Sequence, residues 1–225
     1  MASSYDIIQR SDDWFAVRCG KATASKIADI IAKTKSGYSA SRANYMAQLV
    51  CERLTGTPTE GFTNAAMQWG VDHEDEACSA YAFHYDAELA TVGFVNHPHI
   101  DMSGASPDRL VGDRGLAEIK CPNSATHIDT LLTGKVPEKY VTQMMWQMAC
   151  CDRDWCDFVS YDPRLPEEMR LFVQRINRDA DRIAELEGEV AGFLSDVADT
   201  VESLRAKFSP IPAESENLIK LVRAG

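Results

Sequence analysis

The chain has 225 residues, 45% hydrophobic and 25% charged, a composition that fits one soluble globular domain with a sizeable core. A net charge of -11 argues against a uniformly basic nucleic-acid binder, although residues 1–60 hold 8 basic against 6 acidic residues and leave -13 to the rest. The N-terminus has no apolar run of signal-peptide length and no stretch approaches a membrane span, so a cytoplasmic location without membrane contact is expected.

The first half reads as helical. Thr23-Ala24-Ser25 is placed to cap a short helix through Ile27, Ile30 and Ile31, and Lys33 to Gly37 forms a polar loop. Residues 41–54 form a helix ending at Gly56, and residues 64–84 another. A β-rich centre follows, with strands within 88–96, over 102–110 and over 116–121; Gly112-Asp113-Arg114-Gly115 turns between the last two. Pro137 opens a helix to about residue 150. Two more strands flank Asp162-Pro163, and a long helix runs from 178 to 208. This order predicts an α/β fold with a mixed central sheet flanked by helices, in one domain over 1–208, with a tail over 209–225.

Seven cysteines include no C-x-x-C pair, which disfavours zinc ribbons and thioredoxin-like chemistry. Cys150, Cys151 and Cys156 cluster on a helix and the strand after it. They read as small apolar residues, with an iron–sulfur site as the alternative.

The informative segment is Ser106-Pro107-Asp108, then Glu118-Ile119-Lys120. Asp108 and Glu118 are equidistant from Asp113 in the turn, so a hairpin there sets the two carboxylates opposite one another. Glu118 and Lys120 share a strand face with Leu116, while Ala117, Ile119 and Cys121 point to the other, apolar side. Converging carboxylates repel unless neutralised, and a hard divalent cation such as Mg²⁺ does this well. A neighbouring lysine can orient a water or stabilise charge developing on a phosphoryl group. By itself the pattern is more often that of a salt-bridged hairpin on a solvated face.

Helical spacing places Met67, Val71, Glu74, Cys78 and Tyr81 on one stripe in which Glu74 is the only charge. A glutamate there requires a partner, and the carboxylate site is one candidate; a glutamate at the helix edge reaching water is the other. His73-Glu74 begins an H-E-x-x-H pattern, but position 77 is alanine, which rules out that zinc motif.

The ordered set Asp13-Trp14, Arg18, Gly20, Thr23-Ala24-Ser25, Trp69-Gly70, Glu74, Ser106-Pro107-Asp108, Glu118-Ile119-Lys120-Cys121-Pro122, Tyr140, Gln143 and Tyr161-Asp162-Pro163-Arg164 resembles the PD-(D/E)XK nucleases. It is similar in particular to the bacteriophage lambda exonuclease family (YqaJ-type viral recombinases), over nearly the whole chain. The resemblance implies a restriction-endonuclease-like core and two Mg²⁺ ions, replaceable by Mn²⁺. Asp108 would bridge them, Glu118 and the Ile119 backbone carbonyl would bind one, and Glu74 would serve the other. Lys120 would position the attacking water, with Gln143 and Tyr140 alongside. Arg18, Ser25 and Ser106 match a pocket for a 5′-phosphate, which suits the arginine fork and hydroxyl donors; Arg18 alone would read as a surface cation. Met67 matches an apolar wedge between terminal bases, or is a core methionine, and Lys35 matches a basic loop residue near the duplex. Arg109 stands where the family often has glycine, and is expected to leave the ligands untouched.

The activity so implied is 5′→3′ digestion of double-stranded DNA from a 5′-phosphorylated end. It releases 5′-mononucleotides and leaves a 3′ overhang for phage-type recombination. A homotrimeric ring, a single-strand annealing protein as partner, and a phage or prophage origin in the host cytoplasm go with it. The rivals are an endonuclease of the same fold, an iron–sulfur nuclease, and a non-catalytic DNA-end-binding scaffold.

Overall fold

The computed structural model describes residues 4–59 and 64–208, so the tail expected over 209–225 lies outside the described residues. Helix α1 (Asp12–Arg18) starts at Ser11, whose side chain accepts the Trp14 amide. Strand β1 (Ala22–Thr23) leads through a 3-10 turn, Ala24–Lys26, into α2 (Ile27–Ile31); Thr23 precedes the turn without capping it by its side chain. Strands β2 (Lys33–Thr34) and β3 (Gly37–Tyr38) make a small hairpin where the sequence suggests only a polar loop. Helix α3 (Ala40–Thr55) ends at Gly56, whose φ of 69° suits a residue without Cβ. Asn64 accepts the Met67 amide and opens α4 (Ala65–Tyr85).

The centre holds β4 (Leu89–Ala90), β5 (Val95–Asn96), β6 (Ser103–Ala105), β7 (Arg109–Val111) and β8 (Gly115–Lys120). The single strand expected over 102–110 is in fact two, in different sheets: β6 lies in a β1-β6-β5 sheet and β7 in a five-stranded sheet, ordered β10 (Leu171–Asn177), β9 (Trp155–Tyr161), β8, β7 and β4. Pro107 supplies the reason, since it has no N–H to donate to a ladder, and the chain changes sheet at Ser106-Pro107-Asp108. An unanticipated helix α5 (Ser124–Thr133) is capped by Asn123, and α6 (Glu138–Cys151) follows Pro137. Strands β9 (Trp155–Tyr161) and β10 (Leu171–Asn177) and helix α7 (Ala180–Phe208) complete the described chain.

The five-stranded sheet is mixed: β8 runs parallel to β9 and the other pairs are antiparallel. Each face is covered. On one side Leu110, Leu116, Cys156 and Phe158 pack with α2, α3, α6 and the stripe Ile183, Leu186, Val190, Phe193, Val197 and Val201 of α7. On the other, Val111, Ala117, Ile119, Val159 and Tyr161 pack against Ala77, Cys78 and Tyr81 of α4. Helix α4 is further tied down by Tyr81, whose hydroxyl donates to buried Asp157 at 2.7 Å, while Arg175 holds the same carboxylate at 2.8 Å. At the start of β8, a Cβ on Gly115 would lie 2.2 Å from the Trp155 ring, so that crossing demands glycine.

Both faces of β8 are therefore buried, and the solvated-face reading of Glu118 fails: Leu116 and Glu118 are 0% exposed. No helix among the described residues is long and apolar enough to cross a membrane.

Candidate active site

The β7–β8 register pairs Arg109 with Ala117, Leu110 with Leu116 and Val111 with Gly115, so its continuation sets Asp108 opposite Glu118, as hairpin counting expects. The ladder stops at Arg109, and the Ile119 amide has no strand partner on that edge. The Asp108 carboxylate takes its place, accepting from the Ile119 N–H at 2.7 Å. An extended residue directs its N–H and C=O to the same edge, so the Ile119 carbonyl also faces the Asp108 side.

Glu118 is enclosed by donors from α6 and its own strand. Gln143 Nε2 donates to Oε1 and Gln147 Nε2 to Oε2, each at 2.6 Å, and the Lys120 ammonium pairs with Oε1. Gln143 was legible; Gln147 was not, although it lies four residues on, one turn along the same face. Burial and the neighbouring Glu118 push the Asp108 carboxyl up to about 7, against its ordinary 3.8. Burial would lower the Lys120 pKa, but Glu118 and Asp108 outweigh it and raise it, so Lys120 is a firm cation.

A groove of about 480 Å³ runs over this edge, lined among others by Asp108, Ile119, Lys120, Glu74, Met67 and Tyr140. Met67 is no core residue: it is 57% exposed on the groove wall, because α4 has only begun to meet the sheet there. Tyr140 stacks on Phe158 at 5.5 Å, and Lys120 Nζ lies 5.3 Å from its ring centroid. Lys35 sits exposed in the β2–β3 turn, outside the residues that line the groove.

Glu74 does face the site, half-buried, but two arginines hold it. Arg109 NH1 donates to Oε1 at 3.0 Å, and Arg10 pairs with Oε2. The expectation that Arg109 leaves the ligand residues untouched is thus overturned: its guanidinium spans Glu74, Asp75 at 2.9 Å and the Asp108 carbonyl at 2.6 Å. The sequence does not single out Arg10, since a lone arginine before a helix cap carries no pattern.

Arg18 and Ser25 line a separate cavity of about 220 Å³ with Trp14, Lys26, Tyr45 and Gln48. Arg18 stacks on Trp14 with its guanidinium 3.8 Å from the ring, and donates to Ser106 Oγ at 3.3 Å; Trp14 Nε1 donates to the same hydroxyl at 2.9 Å. Among the described residues Arg18 has no carboxylate within ion-pair distance, and burial lowers its pKa to about 10. A desolvated guanidinium with spare donors is a receptor for an anion.

The donors beside Lys120 are all oxygens: Asp108, Glu118 and the Ile119 carbonyl. They suit a hard divalent cation, which would compensate a carboxyl that burial raises first and the neighbouring Glu118 second. No three acidic, histidine or cysteine side chains among the described residues form a closed cage, and Glu74 would have to leave its arginines to serve a second ion. Cys150 and Cys156 are buried and Cys151 half-buried, all free; burial raises their thiols, Cys151 to about 12, as in apolar packing.

Residues 13–154 match the YqaJ-like viral recombinase domain. The chain is 51% identical to LHK-Exo, an alkaline exonuclease from Laribacter hongkongensis; the match covers 88% of this chain and 97% of that one, with a TM-score of 0.82. The same figures hold for the crystal structure of LHK-Exo in complex with dAMP. A phage related exonuclease from Haemophilus somnus 129PT shares the fold at 16% identity, covering 82% of this chain and 96% of that one, with a TM-score of 0.64. No curated protein sequence matches significantly. With the family's domain spanning the edge that carries Asp108, Glu118 and Lys120, the chain belongs to the YqaJ-like viral recombinase family and has its PD-(D/E)XK fold.

Proposed function

We propose that the protein is a metal-dependent 5′→3′ exonuclease on double-stranded DNA, releasing 5′-mononucleotides and leaving a 3′ overhang for phage-type recombination. The observation that carries this reading is the pairing of two sites: an edge of oxygen donors beside Lys120, and an arginine pocket joined to it through Ser106-Pro107-Asp108. Two residues of extended chain span at most about 7 Å, on the order of one nucleotide step. A terminal 5′-phosphate on Arg18, Ser25 and Ser106 would set the next phosphodiester over Asp108.

A bound Mg²⁺ or Mn²⁺ would supply Lewis acidity at the scissile phosphate. Asp108, Glu118 and the Ile119 carbonyl would hold it, and Glu74, once freed, would hold a second. Lys120 orients the attacking water and opposes the negative charge gathering on the phosphoryl oxygens. Gln143 and Gln147 keep the Glu118 carboxylate aimed at the edge. Attack at phosphorus breaks the bond to the 3′ oxygen. The released mononucleotide leaves with a 3′-hydroxyl, and the shortened strand gains a 5′-phosphate for the same pocket. Exposed Met67 and half-buried Tyr140, which line the groove, would touch the terminal bases, and Lys35 the duplex outside the groove. The exonuclease relative holds dAMP, a deoxynucleoside 5′-monophosphate, which is the product class this chemistry yields. A homotrimeric ring and an annealing partner belong to the same reading.

The test is product analysis on linear duplexes phosphorylated at one 5′ end or the other, with and without Mg²⁺, beside a closed circle. Mg²⁺-dependent release of mononucleotides from the phosphorylated end supports the reading. Cutting of the closed circle, or equal rates from 5′-hydroxyl ends, refutes it.

A further inference from the structure

Two arginines share one carboxylate at the rim of the groove, and they are not equivalent. Arg109 is mostly buried and donates to Glu74, Asp75 and the Asp108 carbonyl, which fixes its place and leaves Glu74 compensated. Arg10 has a 48% exposed side chain, and its side-chain partner is Glu74. It lines both the groove over Asp108 and Lys120 and the adjoining cavity beneath residues 5–10.

The backbone that presents Arg10 is held against its preference. Its φ is 70°, a left-handed conformation that side chains with a Cβ resist. Its neighbours enforce this. Gln9 Nε2 donates to the Val92 and Pro107 carbonyls at 2.8 and 2.9 Å, and Ser11 caps α1 while its hydroxyl donates to the Ile8 carbonyl at 2.7 Å. Arg10 is thereby anchored to the segment that contains Asp108, while its guanidinium stays in solvent reach. A strained position that fixes an exposed cation beside an anion-accepting groove is a functional arrangement rather than a packing one.

We propose that Arg10 is a contact for the DNA backbone. Without DNA it rests on Glu74; when a strand enters the groove it moves to a phosphodiester oxygen and leaves Glu74 to Arg109 and the site. The exchange conserves charge pairing, because Arg10 trades a carboxylate for a phosphate, and the guanidinium fork fits either. Glu74 thus becomes available as the substrate arrives. This inference rests on the proposed nuclease function.

Binding of a 5′-phosphorylated duplex is measured by fluorescence anisotropy with Ca²⁺ in place of Mg²⁺, over a salt series. The variants are Arg10→Gly, Arg10→Lys and Arg18→Ala. Glycine is the informative replacement, since it removes the cation and accepts the left-handed backbone; Arg10→Gly should melt no lower than the wild type. Its affinity should fall about fivefold or more, and the slope of log K against log salt should lessen by about one. Arg10→Lys should keep the slope and recover part of the affinity. If Arg10→Gly binds within twofold of wild type with an unchanged slope while Arg18→Ala binds weakly, the Arg10 assignment is wrong and the nuclease reading stands. A wild-type protein that does not bind the duplex end overturns both.

Discussion

Replacing Gln147 by leucine tests whether Glu118 is a carboxylate kept buried by its donors. Glu118 and Gln147 are both 0% exposed, and Gln147 Nε2 donates to Oε2 at 2.6 Å. Losing a hydrogen bond to a charged, buried acceptor costs about 2–3 kcal/mol. Among the described residues Gln147 Oε1 has no partner, so deleting it returns about 1 kcal/mol of desolvation. Leucine is close in volume and adds little packing cost. The net loss is about 1–2 kcal/mol, which for a chain of this size lowers Tm by about 2–8 °C. Thermal melts by circular dichroism without divalent ions should show this drop. With saturating Mg²⁺ the gap should narrow, because a cation on Glu118 does what the amide did. An unchanged or raised Tm without metal refutes the reasoning.

Lys120→Ala should retain binding to a duplex end while Mg²⁺-dependent digestion falls by about 10²–10³, measured as single-turnover release of labelled nucleotide; digestion at the wild-type rate would remove Lys120 from the site. Asp108 gives a pH test, its carboxyl being raised from 3.8 to about 7 in the fold. Its contribution to stability is fully present below about pH 4 and is lost as pH rises through about 7, so the Tm of the metal-free protein relative to Asp108→Asn should fall across that window. Mg²⁺ affinity, read by calorimetry, should rise over the same window, since the proton and the cation compete for one carboxylate. At Asp162 burial raises the carboxyl, but hydrogen bonds from Arg164 and Ser124 outweigh it and bring it to about 2. That contribution is present above about pH 4 and lost as pH falls towards 2, and Asp162→Asn should flatten the acid limb of the unfolding curve. Gly115→Ala, which sets a Cβ against the Trp155 ring, should lower Tm without abolishing duplex binding.

How much could be read beforehand depended on range. Helix α4 starts at Asn64 and α3 stops at Gly56 because capping acts within one turn, and both ends were legible. The pairing of Asp108 with Glu118 was legible too, since a tight turn sets the register for the whole hairpin. The break at Pro107 was misread although a proline inside a run argues against a continuous strand, and only the second sheet shows where β6 goes. Helix α5 was missed because its buried residues are the polar His127 and Thr130 while Ile128 and Leu132 are exposed; its signal was the Asn123 cap.

The sequence by itself determined the candidate edge: the juxtaposition of Asp108, Glu118, Ile119 and Lys120 follows from strand period and turn position, both local properties. What only the tertiary structure decided is what surrounds that edge. Gln147 reaches Glu118 from 29 residues away, Arg109 reaches Glu74 from 35 and Arg10 from 64, and Ser106 meets Arg18 across 88. Such contacts are set by how α1, α4 and α6 pack on the sheet, and no spacing along the chain encodes them. Whether Glu74 is a free ligand or a carboxylate between two arginines was therefore a question of packing.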